Sequence, residues 1–318
     1  MTTQTLDDAG PTTGFSHEAY LYTDPARFLE GCLDFIRSGL AAGESVLVAV
    51  PEPRATWLRQ LLRGEDDVSV VDMASLGANP ARIIPEWRSF LDRAVDDGRP
   101  VRGIGEPVWA ERSPAELAEC LLHESLLNLA FDDGPAWRLM CPYDAAALPG
   151  RVLDQALSVH PTVADATGCR PSPTYHSVPA ARGLRGDPLS PPEATPVELP
   201  FTTAELGSVR RLVRRQAVEA GLRGEATDDL VLAVDEVAAN SLLHGGGRGV
   251  LRIWTEGHSL VCEVADDGVI TDPLVGRRQP PLERTGGRGL WLANQLCRLV
   301  QIRSGAAGTT VRLHVPLR

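Results

Sequence analysis

Three side chains suited to proton or phosphate chemistry recur at four-residue spacing in "VDEVAANSLLHGG", residues 234–246: the carboxylate of Glu236, the carboxamide of Asn240 and the imidazole of His244. On an α-helix four residues advance the chain by about 400°, so Glu236 and Asn240 stand roughly 40° apart on one flank. Leu230, Val234, Val237 and Ser241 mark the core face of that helix. The flank with the polar pair lies at its edge, where a cleft can open. His244 is followed at once by "GGG" and reads as a helix-end histidine favoured by the dipole rather than a catalyst.

Two further segments give this pair a context. In "VADDGV" (264–269) a strand ends on Asp266 and Asp267 and turns through Gly268. An aspartate at a strand end can accept a hydrogen bond from a purine amino group, and a glycine beside it lets the base come close. "RTGGRGLWLANQL" (284–296) is a glycine-rich loop that runs into a helix. The backbone N–H groups around Gly286, Gly287 and Gly289 and the helix N-terminus favour phosphate, and Arg288 can add positive charge. That charge has to be arginine, because all 31 basic residues are Arg and none is Lys. The missing lysine excludes a Walker A loop, a protein-kinase strand lysine and Schiff-base chemistry. A nucleotide site in this chain must do without an ammonium group.

The elements that position these residues fall into two sets. From about residue 16 to 162 short apolar runs ("SVLVAV", "VSVVDM", "AWRLMCPY") alternate with helical patterns. The pattern predicts a parallel sheet covered on both faces, with a helix break near Pro85. Residues 166–197 are rich in proline, without periodicity, and read as a linker, and residues 1–13 as a disordered tail. The remainder, 198–318, predicts helices grouped on one face of a mixed sheet, an α+β layer. Thr202 and Glu205 form a capping box ahead of its first helix.

Composition limits the function classes. The net charge of −11 argues against direct binding of nucleic acid, with 14 Arg against 26 acidic residues in 1–180 and 17 against 16 in 181–318. No apolar run approaches the roughly 20 residues of a membrane span. Six scattered cysteines without CxxC spacing signal neither a disulfide framework nor a zinc cage, and a reduced, cytoplasmic location is expected.

Taken in order and spacing, Glu236 with Asn240, "ADDG" and "TGGRGL" resemble the N, G1 and G2 boxes of the GHKL ATPases, whose fold is the Bergerat sandwich of helices on a sheet. The similarity is to the anti-sigma regulatory branch, which looks like a histidine kinase-like ATPase but phosphorylates serine or threonine. The resemblance spans 198–318. It implies ATP and Mg²⁺ as cofactors, with Glu236 as general base and Asn240 holding Mg²⁺ bridged to the ATP phosphates. It further implies Asp266 and Gly268 at the adenine, and Gly286, Gly287, Arg288 and Gly289 in the lid. "GTTVRLHVPL", with Thr309 and Thr310, resembles the family's closing strand, and of the two Thr310 is expected at the nucleotide. One departure is Ile270, where many members have a second G1 glycine.

Residues 14–165 resemble the MEDS sensory domain through "GFSHEAYLY", "GEPVW", "ECLLHESLLNLA", "LMCPYD" and "VHP". That domain looks like a degenerate, doubly wound RecA-type α/β fold, and the missing P-loop agrees with sensing rather than hydrolysis. Ligands of such sheets sit beyond the carboxyl ends of the strands, which selects Glu106, Trp109, Cys141, Tyr143 and Asp144 as a pocket for an unknown small-molecule signal. A metal site from His17, His123 and Cys141 is conceivable, although no ligand spacing singles it out.

The expectation is therefore a cytoplasmic regulator of signal transduction and transcription. A sensory domain would control an anti-sigma-type serine/threonine kinase, a transferase in sigma-factor partner switching. An alternative sigma factor and an anti-anti-sigma antagonist would be its partners, and homodimerisation stays open. The alternatives are a non-catalytic ATP- or partner-binding module and an atypical sensor histidine kinase. The only linker histidine, His176 in "SPTYHSV", is on no helical pattern and speaks against the last.

Overall fold

β-branched runs bounded by Gly, Pro and Asp build the first sheet, and capped amphipathic segments build its helices. In the computed structural model, which describes residues 14–176, 188–281 and 287–317, the chain divides into two compact units, residues 1–178 and 179–318. The expected disordered tail, 1–13, lies outside the described residues.

The first unit runs β1 (Phe15–Tyr22), α1 (Pro25–Ala41), β2 (Ser45–Val50), α2 (Arg54–Leu61), β3 (Val68–Asp72), α3 (Met73–Leu76), α4 (Ile83–Asp96), β4 (Val101–Gly105), α5 (Pro114–Ala130), β5 (Trp137–Asp144), α6 (Gly150–Val159), β6 (Thr162–Asp165) and β7 (Gly168–Pro171). The strand order is β3-β2-β4-β5-β1-β6-β7. Every neighbouring pair is parallel except β6 with β7. Phe28, Cys32, Phe35 and Ile36 of α1 and Leu58 of α2 pack with Tyr20, Val48, Ile104 and Met140 on one face. On the other, Trp87 of α4 lies against Gly103, Gly105 and Leu139. The unit is thus doubly wound, with a parallel sheet between helical layers.

Two expectations change here. Pro85 does not break its helix. It is the third residue of α4, where an N–H would have no intrahelical acceptor, so the ring displaces no hydrogen bond. Within the expected linker, Gly168–Pro171 form a strand paired with β6, after Asp165 accepts the backbone N–H of Thr167 and turns the chain into β7.

The second unit runs β8 (Val197–Phe201), α7 (Leu206–Glu219), α8 (Glu225–His244), β9 (Gly249–Glu256), β10 (Ser259–Asp266), α9 (Gly289–Leu296), β11 (Leu299–Gly305) and β12 (Gly308–Pro316). The sheet order is β11-β12-β10-β9-β8. A mixed sheet was expected, and every described pairing is antiparallel, since hairpins join β9 to β10 and β11 to β12. Alternate residues Leu251, Ile253, Leu260, Cys262, Val264, Val311 and Leu313 meet Val209, Val213, Val234, Val237 and Ala293 in one core. The helices therefore cover one face of this sheet. No helix among the described residues is long and apolar enough to cross a membrane.

Side-chain caps fix where helices begin. Ser113 and Glu116 form a reciprocal capping box at the start of α5, at 3.2 and 2.9 Å. Ser113→Ala removes one half of it and is expected to destabilise the first unit by about 1 kcal/mol. In thermal denaturation this is a fall of roughly 2–4 °C in Tm. An unchanged Tm would show that tertiary packing alone sets the start of α5.

Candidate functional site

The site in the second unit is built on the end of α8. Glu236 and Asn240 emerge half-buried beside the core residues Val237, Ala238 and Ser241. They face the first residue of α9. A methyl group on Gly289 would stand 2.9 Å from both Glu236 Oε2 and Asn240 Nδ2. The two polar groups thus converge on the N-terminus of the helix that follows the glycine loop. Gly287, just before it, has φ +78° and open space around its Cα. Arg288 donates to the Pro281 carbonyl at 3.2 Å, and Gly286 lies outside the described residues.

Asp266 ends β10 with its carboxylate held from two sides. Ser241 donates to Oδ2 at 2.6 Å and the Gly268 N–H to Oδ1 at 2.8 Å. Each oxygen keeps a lone pair for a further donor, such as an amino group of a base. Three glycines surround it. A Cβ on Gly245 would collide with the Asp266 carboxylate, and one on Gly268 would lie 2.6 Å from the His244 carbonyl. Gly308, at φ +107°, abuts the Asp266 backbone.

Thr309, not Thr310, belongs to this side of the sheet. Thr309 pairs with Asp266 across the β10–β12 ladder and alternates with core residues Val311 and Leu313. Thr310 alternates with Arg312 on the opposite face, so the strand period removes it from the proposed nucleotide site. Thr309 donates to the Gly268 carbonyl at 2.8 Å. Its single proton is then used, so Ser304 must be the donor in their 2.7 Å contact. Ser304 in turn accepts from the Ile270 N–H at 2.8 Å. This relay ties the loop after β10 to β11, and the Ile270 side chain packs on the core. Ile270 therefore anchors the loop at the position where a second glycine was looked for.

Sequence reasoning missed Ser241, Gly245 and Thr309 as site residues. Ser241 carried a signal: a hydroxyl on the core face beside Val234 and Val237 needs a buried acceptor. His244 is exposed at the end of α8. A cleft of about 350 Å³ opens beside Asp266, lined by Phe201, Thr202, Glu205, Arg248 and Asp267, but Glu236, Asn240 and Gly289 do not line it.

In the first unit the expected sensory residues separate into two groups, because β5 alternates its faces. Asp144 points to the α1 side, together with Tyr22 of β1, its partner in the register. Arg54, at the start of α2, bridges Asp144 at 3.6 Å and Glu106 at 3.3 Å, and the Tyr22 hydroxyl donates to Glu106 at 2.8 Å. This cluster sits beyond the carboxyl ends of β1, β4 and β5. There the chain's crossovers diverge, since α1 leads toward β2 on one side of β1 and α6 leads to β6 on the other. Burial outweighs the Arg54 guanidinium and pushes the Glu106 carboxyl up to about 8, while burial and the Glu106 charge also push the Tyr22 phenol up. Glu106 Oε2 has no hydrogen-bond partner.

Cys141 and Tyr143 lie on the other face. Cys141 Sγ is 3.3 Å from His17 Nε2, which is 3.1 Å from Glu124 Oε2; His160 Nε2 reaches the same oxygen at 3.2 Å. His123 is not in this group, since its neighbour Glu124 takes the inward position on α5. Burial, then the nearby His160, lowers His17 to about 4, and burial pushes the Cys141 thiol up. Trp109 joins neither group and stacks on the Arg112 guanidinium at 3.7 Å.

The Glu106 carboxyl has a stability consequence. Unfolded, it titrates near 4.5; folded, near 8. As pH rises through this window the unfolded chain releases the proton while the folded chain holds it, so stability falls. Glu106→Gln keeps the neutral hydrogen-bonding shape and removes this loss. The Tm of the variant is expected to gain on that of the wild type by roughly 2–4 °C or more between about pH 5 and pH 8, corresponding to about 1 kcal/mol at least. A pH-independent difference would mean that Glu106 is ionised throughout.

Comparison with known proteins agrees with this division. Residues 16–161 match the family described as MEDS, the methanogen/methylotroph DcmR sensory domain. Residues 199–315 match the histidine kinase-like ATPase domain. No curated protein matches the chain. Among solved structures, the RsbU and RsbW domains of Rv1364c from Mycobacterium tuberculosis are 24% identical, covering 38% of this chain, with a TM-score of 0.29. The chain spans 32% of that structure, and a likeness of this size carries no functional argument. The chain is a two-domain protein in which a MEDS sensory domain precedes a histidine kinase-like ATPase domain.

Proposed function

We propose that the second domain binds ATP with Mg²⁺ and transfers its terminal phosphate to serine or threonine on an anti-anti-sigma antagonist, and that the first domain receives a signal that biases this activity. The observation that carries the reading is the convergence of Glu236 and Asn240 on Gly289, at the N-terminus of α9, with Asp266 held in place by Ser241, the residue after Asn240 on α8. The residues present fit the nucleotide: a carboxylate with free lone pairs for a base, and a glycine cradle where a side chain would intrude.

The Asn240 carboxamide oxygen would hold the cation from the helix side, and the backbone N–H groups of Gly287, Arg288 and Gly289 would face the phosphates. Bound Mg²⁺ would supply charge neutralisation at the transferring phosphoryl group. Glu236 Oε2 would accept the proton of an attacking hydroxyl. Asp266, acceptor-only when ionised, would select a base that presents an amino donor. A sigma factor binding in competition with the antagonist would complete a switch by differential affinity.

The test is a Mg-ATP titration of the wild type, Asn240→Ala and Glu236→Ala, followed by transfer to an antagonist protein. Asn240→Ala is expected to weaken nucleotide binding at least about tenfold. Glu236→Ala is expected to leave binding intact and lower transfer about 10²–10⁴-fold. Equal binding by wild type and Asn240→Ala would end the metal-bridging role. Normal signalling by Glu236→Ala would replace the kinase with a binding module, and acid-labile phosphate on the protein itself would indicate a histidine kinase.

A further inference from the structure

The cluster on the α5 face of the first sheet has a hydrogen-bonding problem that protons alone solve poorly. His17, Glu124, Cys141 and His160 are all buried, and one potential ligand atom from each lies within 4.8 Å of the rest. The tautomer of each histidine is set by its far nitrogen. Asn128 Nδ2 donates to the Val159 carbonyl at 2.8 Å, which turns Asn128 Oδ1 toward His17 Nδ1 at 3.1 Å. That oxygen only accepts, so His17 Nδ1 carries the proton. His160 Nδ1 lies 2.7 Å from the Ala156 carbonyl and carries its proton for the same reason.

With those protons on Nδ1, each Nε2 faces the same carboxylate oxygen, Glu124 Oε2, at 3.1 and 3.2 Å. His160 Nε2 makes no hydrogen bond there, and Glu124 Oε1 is buried without a partner. Acceptors facing one another inside a protein repel unless something positive lies between them. The Cys141 thiol has one proton to offer, which is too few for two imidazoles and a carboxylate.

We propose that His17, Glu124, Cys141 and His160 form a binding site for one divalent transition-metal ion of the zinc class. The donor set is two imidazole nitrogens, a carboxylate oxygen and a thiolate sulfur, borderline in softness, as zinc and cobalt(II) prefer. Bond lengths of about 2.0–2.3 Å put adjacent ligand atoms of a tetrahedron roughly 3.3–3.8 Å apart. The contacts of 3.1, 3.2 and 3.3 Å need only a small expansion to receive the ion. The far-nitrogen hydrogen bonds to Asn128 and Ala156 are the outer contacts that metal-binding histidines require to fix ring orientation. Binding replaces the Cys141 thiol proton, which leaves to solvent as the Sγ–metal bond forms. The ligands come from β1, α5, β5 and the end of α6, so the ion would fasten the central strands to the helices over them.

The full-length protein, stripped with a chelator and dialysed against zinc, is expected to retain about one equivalent per chain after gel filtration. Cobalt(II) in its place is expected to give the visible bands of a tetrahedral site and a thiolate-to-cobalt charge-transfer band. Cys141→Ser is expected to abolish that band and stoichiometric retention, while Cys169→Ser, at the exposed cysteine, leaves both intact. Asn128→Ala, which alters no ligand, is expected to weaken zinc about 10–100-fold. X-ray absorption of the zinc-loaded wild type, which needs no variant to fold, should show one sulfur among nitrogen and oxygen neighbours. Wild-type protein that retains no zinc, retention unaffected by Cys141→Ser, or an absorption spectrum without sulfur would each overturn the site.

Discussion

The second domain depends on one close approach, that of the end of α8 to the end of β10 at Asp266. Side chains at Gly245 or Gly268 would occupy the space of the carboxylate or of the helix's last carbonyls. With hydrogens there instead, Ser241 reaches Asp266 at 2.6 Å from a helix whose buried residues are mostly apolar. A charge-assisted bond of that length in a partly buried setting both orients the carboxylate and fixes the rotation of α8. That rotation carries Glu236 and Asn240 to α9. The base-recognising and phosphate-handling ends of the proposed site are therefore tied to one rigid element, residues 236–241 of α8.

How much of this could be read beforehand follows from which interactions are periodic. Glu236 and Asn240 were legible because a helix repeats in sequence, and Asp266 because strand ends are marked by acidic and glycine residues. Thr309 was passed over for Thr310 because adjacent threonines on a strand differ only in face, and face depends on a ladder partner far away in sequence. The same ambiguity misjudged β5, where Cys141 and Tyr143 were grouped with Asp144 although alternation sends them to opposite sides. His160 stood in a quoted motif yet was not seen as a partner of His17, 143 residues away, because only the parallel pairing of β1 with β6 brings the end of α6 there. Local signals gave the elements and their order. Register decided which chemistry met.

The two buried carboxylates of the first domain show the same dependence. Glu106 and Glu124 are equally inaccessible. Glu106 follows β4 at the open, carboxyl edge of the sheet, with a phenol donor and an arginine that it shares with Asp144. One guanidinium divided between two acids does not compensate the loss of water, and the proton stays on Glu106 to about 8. Glu124 instead lies beneath the sheet, against two imidazoles oriented by a carbonyl and a carboxamide. A group at the edge can respond to what enters from outside, whereas a group in the interior can only hold what the fold encloses.

A chain without lysine makes these choices sharper. An ammonium group can lose its proton when buried, but a guanidinium cannot, so every interior positive charge here needs several acceptors at once. Arg102 takes Glu44, the Phe35 carbonyl and Ser38, and Arg312 clasps Glu263 with two nitrogens at 2.6 and 3.0 Å. Arginines committed in this way are structural and are not available to a mobile phosphate. Arg288, beside the lid, already spends a nitrogen on the Pro281 carbonyl across the glycine segment. In the proposed function, neutralising a triphosphate would therefore fall mainly to backbone N–H dipoles and a divalent cation, the two sources of positive charge that need no side-chain pKa. On that proposal an amide in the polar pair on α8 would ligate the cation at any pH, and the glycine where the pair meets α9 would leave room for the phosphates.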